Sequence, residues 1–78
     1  MRIDNASRVR DLAQEVVQLI DAAIARAHRD REEENAYWAE RGEEPLTSQP
    51  SITGTREAGA LRRRSLDLTR ALAEMRKP

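Results

Sequence analysis

The sequence predicts an all-α fold: an antiparallel hairpin of two long helices joined by an extended, proline-containing connector, with two hairpins pairing into a four-helix bundle. Three observations lead there. Two segments repeat their apolar residues at steps of three and four, the period of an amphipathic helix. Residues 8–41 contain neither Pro nor Gly, whereas the stretch that follows holds Gly42, Pro45 and Pro50. Finally, 78 residues with no Cys, no Phe and only 14 Ile, Leu and Val make a small core. Chains this short usually need a disulfide, a metal or association with another chain. With no Cys and one His, association is the route left.

The first helix is predicted at about 7–41. Val9, Ala13, Val16, Ile20, Ala23 and Ala27 form its stripe, widened by Leu12 and Leu19 on one flank and by Val17 and Ile24 on the other. Arg8, Arg10, Asp11, Gln14, Glu15, Gln18 and Asp21 occupy the rest of the cylinder. Asp4, Asn5 or Ser7 is expected to accept hydrogen bonds from the free N–H groups of the first turn. The connector is about 42–53. Its prolines and small polar residues exclude helix. The second helix is about 55–76, with Ala58, Leu61, Ser65, Leu68, Leu72 and Met75 on its stripe. Thr53 or Thr55 is placed to cap it, and Glu57 and Arg76 suit the dipole at its two ends. Gly59 costs roughly 1 kcal/mol relative to Ala there, so it marks either a late start or a close helix approach.

The stripes 9–27 and 58–75 have nearly equal lengths, about 27–28 Å at ~1.5 Å per residue. Antiparallel pairing sets Ala27 beside Ala58 and leaves residues 28–41 as an overhang of about 21 Å. The connector is long enough to fold back along it, bringing Leu46 and Ile52 over Tyr37 and Trp38. A lone hairpin leaves Leu12, Leu19, Val17, Ile24 and Leu66 partly wet, which predicts a homodimer. Val16, Leu19, Ile20, Leu61, Leu68 and Leu72 are the residues assigned to self-association.

Formal net charge is zero, but the sign is segregated. Residues 32–44 hold six Glu against Arg41, giving −5, whereas 45–78 carry six Arg and Lys77 against three acids, giving +4. Arg62-Arg63-Arg64 spans about 200° of a helix. It reads either as phosphate contact with nucleic acid, helped by Arg56 and Arg70, or as a solvated belt paired with the 32–44 acids, which are expected at the same end of the hairpin. No aromatic interleaves with these arginines to stack on bases, and the connector is too long for a helix-turn-helix. Tyr37 and Trp38 form either a satellite core under the connector or, with Glu33 and Glu40, an anchor for an outside partner; Trp and Tyr are enriched at interface hot spots.

Other matches carry little. Gly54-Thr-Arg-Glu-Ala-Gly59 lacks the Lys and Ser/Thr of a phosphate loop. Asn5-Ala6-Ser7 matches a glycosylation acceptor, Ser65 follows three arginines as in a basophilic kinase site, and His28 reads as a surface residue. Successive glutamates diverge around a helix rather than converging on a cation. Neither a nucleophile–base pair nor a cofactor or metal constellation is legible, so no catalysis, cofactor or small-molecule substrate is expected. No stretch reaches the length of a membrane span and Met1-Arg2-Ile3-Asp4-Asn5 has no signal-peptide core, which predicts a cytoplasmic protein. The reading is a small helical protein–protein interaction module, an adaptor, assembly factor or inhibitor of a larger protein, acting as a homo-oligomer. The alternative is a dimeric nucleic-acid-binding regulator using Arg62, Arg63 and Arg64. A third is a subunit that completes its fold only on a large complex.

Overall fold

The computed structural model describes residues 1–52 and 54–77. Two helices, α1 (Ile3–Glu40) and α2 (Arg56–Met75), pack against each other. The molecule measures 62 × 18 × 14 Å, a long hairpin only two helices wide.

Helix α1 begins four residues earlier than the periodicity predicts. Arg2 is its N-cap and supplies no side-chain cap bond; the Ala6 N–H bonds the Arg2 carbonyl at 3.1 Å. Asp4, Asn5 and Ser7 therefore lie inside the helix rather than capping it. Asp4 still contributes, because an acid in the first turn suits the dipole. At the other end the helix stops at Glu40, with Arg41 as its C-cap and Gly42 next, which adopts φ +76°. The Gly42 N–H bonds the Ala39 carbonyl at 3.1 Å and the Glu43 N–H bonds the Trp38 carbonyl at 3.0 Å. This pair of bonds is a Schellman motif, and its left-handed residue is best served by glycine.

Helix α2 starts where a cap permits. The Ala58 N–H donates to Thr55 Oγ1 at 3.1 Å; Thr53, the other candidate cap, lies outside the described residues. Gly59 is in the first turn, its N–H bonded to the Thr55 carbonyl at 3.1 Å. A Cβ built on Gly59 meets nothing within 4 Å, so neither a late start nor a close helix approach accounts for it.

The connector folds back along the overhang. Leu46 N–H donates to Asn35 Oδ1 at 2.9 Å, and the Arg31 guanidinium donates to the Ser48 carbonyl. Leu46 is thus held near the aromatic pair, but Ile52 is not. It lines a depression with Ile24, Ala27, His28 and Pro50, some ten residues down the helix from Trp38. Arg31 and Asn35 anchor the connector to α1, and the remaining chain then descends toward α2.

The register is close to that expected from the stripes. Arg26 Nη1 lies 3.6 Å from Glu57 Oε1, and Arg64 Nε lies 2.6 Å from Glu15 Oε2. The rotation of the helices is not as expected. Among the described residues the buried core is Leu12, Val16, Ala23 and Ala71. Leu12, expected to be wet, is buried, and Leu19 is half-buried. The helices meet along the small residues Ala23 (2% exposed) and Ala71 (5%), with Arg64 and Glu57 beside them. Leu12 and Val16 fill the seam with these alanines, and the other long side chains of the broad stripes are displaced sideways.

Candidate interaction surface

That displacement creates the site. Taking about 100° per residue, Val9, Ala27, Ile20, Ala13, Ile24 and Val17 lie about 40–120° to one side of Ala23 on α1. Met75, Leu68, Leu61, Leu72 and Ser65 lie over the same range, on the same rotational side of Ala71, on α2. Two antiparallel helices with matched rotation present these flanks on the same face of the hairpin. Ile52 corroborates this placement, since it lines one depression with Ile24 and Ala27 and another with Ala58 and Leu61. The opposite face is polar, where Glu15, Gln18, Arg63, Arg64 and Asp67 surround a shallow depression floored by Leu19 and Ala60.

The apolar face is open. Val17 is 56% exposed, Ile24 40% and Ile20 37%. Leu61, Leu68, Leu72 and Met75 are half-buried. The six residues assigned to self-association thus divide. Val16 belongs to the hairpin's own core and Leu19 to its polar-side edge, whereas Ile20, Leu61, Leu68 and Leu72 share the open face. Val17 and Ile24, read from sequence as a flank, are its most exposed aliphatics. Leu66, also exposed, projects away from it, about 140° from Ala71 on the polar side. Ser65 sits on the face with its hydroxyl satisfied internally, donating to the Arg62 carbonyl at 2.8 Å.

The aromatic pair is half out in solvent. Tyr37 and Trp38 meet edge to face with centroids 5.2 Å apart, and the Arg41 guanidinium stands 4.5 Å from the Tyr37 centroid. Both remain exposed, as do Glu33 and Glu40. Among the described residues none of the six glutamates from Glu32 to Glu44 forms an ion pair.

The arginine run does not lie with those acids. Arg64 pairs with Glu15 and with Asp67 at 3.1 Å, which sets the run near the middle of α1. Glu32 is 17 residues further along, about 25 Å at 1.5 Å per residue. The expectation that the two regions share one end is therefore incorrect, because the antiparallel register matches the start of α2, not its middle, with the 26–30 turn of α1. Arg62 and Arg63 are exposed, while Arg64 is committed to two carboxylates. His28 is exposed at the connector depression.

Among the described residues no helix is long and apolar enough to cross a membrane. No protein-family model matches the sequence, and no curated protein or solved structure matches it either.

Proposed function

We propose that the protein is a helical protein–protein interaction module that first associates with itself through the open apolar face. The observation that carries this reading is the placement of the aliphatic stripes. Ile20, Ile24, Val17, Leu61, Leu68 and Leu72 line one side of a hairpin whose own buried seam is only Leu12, Val16, Ala23 and Ala71 among the described residues. A contiguous apolar face of two helices is what a four-helix bundle buries against its other half. Each aliphatic side chain fully covered contributes on the order of 1.5–3 kcal/mol, and each is only partly covered in the hairpin. Tyr37 and Trp38, with Glu33 and Glu40 around them, form a second surface at the far end of α1, left for the larger protein that the module serves.

Sedimentation from submicromolar to high micromolar concentration tests the self-association. Dimers are expected, and the double variant Val17→Glu/Ile24→Glu is expected to run as a monomer. Both side chains are already exposed in the hairpin, so a loss of mass without loss of helicity reports the interface. Wild-type protein that stays monomeric and fully helical throughout overturns the reading. The nucleic-acid alternative draws no comparable support, because Arg64 is held by Glu15 and Asp67, leaving Arg62 and Arg63 as the exposed members of the run.

A further inference from the structure

We propose that two copies pair face to face with their long helices antiparallel, so that the acidic overhang of each lies against the basic end of the other; this rests on the self-association proposed above. The apolar face alone does not choose an orientation. The stripe runs from Val9 to Ala27 along α1, with the connector beside its far end, and a pairing centred near residue 18 can be built parallel or antiparallel.

Charge chooses. Residues 32–44 carry −5 and, among the described residues, their six glutamates have no ion pair. The other end of the hairpin is basic. Arg2, Arg8 and Arg10 stand against Asp4 and Asp11, and Arg70, Arg76 and Lys77 against Glu74, giving +3. There Arg8, Arg70 and Arg76 have no acidic partner among the described residues. A parallel dimer sets two −5 overhangs side by side within a bundle's width. An antiparallel dimer centred at residue 18 puts position 32 level with position 4 of the other copy. Glu32, Glu33 and Glu34 then stand at the level of the partner's Arg2, Arg76 and Lys77, since α2 ends at the level of the first turns of α1. Complementary ends set the register of an interface and suppress the wrong one.

Bulk points the same way. The connector crosses the apolar-face side at one end only, where Gln49, Pro50 and Ile52 lie over Ile24, Ala27 and His28. In a parallel pair the two connectors meet at the same level and hold the faces apart. In an antiparallel pair they sit at opposite ends.

The absence of native cysteine makes the orientation measurable in the full chain. Ala36 is exposed on the outer side of the overhang. Spin labels on Ala36→Cys are expected about 54 Å apart along the axis in the antiparallel dimer, from 18 residues on each side of the centre at 1.5 Å each. A parallel dimer brings them within about 30 Å, the width of a bundle with its labels. The triple variant Glu32→Lys/Glu33→Lys/Glu34→Lys is expected to weaken the dimer about tenfold or more at low salt. Mixing it with Arg76→Glu/Lys77→Glu is expected to restore pairing as a heterodimer. In a parallel dimer the triple variant instead relieves repulsion and tightens association. Short label distances or tightening overturn the orientation while leaving the dimer standing. Wild-type monomer at every concentration overturns the self-association beneath it.

Discussion

Gly59 and Gly42 respond in opposite directions to the same substitution, although both are glycines at helix ends. Gly59 has helical backbone and open space around its missing Cβ, so Gly59→Ala is expected to stabilise α2 by about 0.5–1 kcal/mol. Gly42 also has open space, but its φ of +76° is the left-handed position of the Schellman turn. Gly42→Ala is expected to cost about 1 kcal/mol, because Cβ crowds the carbonyl in that conformation. Thermal melts of the two variants at one fixed concentration check the pair, with Tm rising for one and falling for the other. Ala23, 2% exposed against α2, leaves no room for growth. Ala23→Leu is expected to destabilise by about 1–3 kcal/mol through overpacking, whereas Ala13→Leu on the open face adds apolar surface to the proposed interface and raises the dimer's Tm.

At the scale of an element, the bonds that hold the connector to α1 are separable. Asn35 Oδ1 holds the Leu46 amide, and Arg31 reaches the Ser48 carbonyl. Asn35→Ala is expected to remove hydrogen-exchange protection at Leu46 while leaving the middle of α1 and all of α2 protected. Continued slow exchange at Leu46 counts against that anchoring. Thr55 plays the corresponding part for α2. Thr55→Ala removes the bond to the Ala58 amide and is expected to cost about 1 kcal/mol, read as fraying of the first turn in exchange measurements. The partly exposed ion pairs between the helices matter less. Arg26–Glu57 and Arg64–Glu15 join α1 to α2, but pairs this open to solvent contribute about 0–1 kcal/mol each. Their effect is to favour one register over its neighbours one turn away.

For the whole molecule, stability and assembly are coupled. A hairpin whose buried core is Leu12, Val16, Ala23 and Ala71 leaves Val17, Ile20 and Ile24 exposed and most of the rest of its stripes half-buried. If those stripes are covered by a second copy, Tm must rise with protein concentration, since dimerisation stabilises the folded state by mass action. Val17→Glu/Ile24→Glu is expected to remove that dependence. Added salt is expected to lower the wild-type dimer's stability at the two charged ends, as screening shortens the reach of each charge to about 8 Å at physiological ionic strength.

The sequence by itself determined that there are two helices, where the break falls, and how they align. Periodicity located both stripes, Gly42 with Pro45 and Pro50 placed the connector, and equal stripe lengths gave a register close to that of Arg26 with Glu57. These features are local or depend on distance along a helix, which 1.5 Å per residue makes arithmetic. Rotation about each helix axis was decided only by the tertiary structure. A stripe as wide as that of α1 tolerates several faces toward α2, and periodicity cannot rank them. Packing ranks them, and the rotation it selects puts Leu12, Val16, Ala23 and Ala71 in the seam. That rotation of a few tens of degrees buried Leu12, kept Val16 and Ala23 in the seam, and moved Ile20 out of it to join Val17 and Ile24, whose exposure the sequence already indicated.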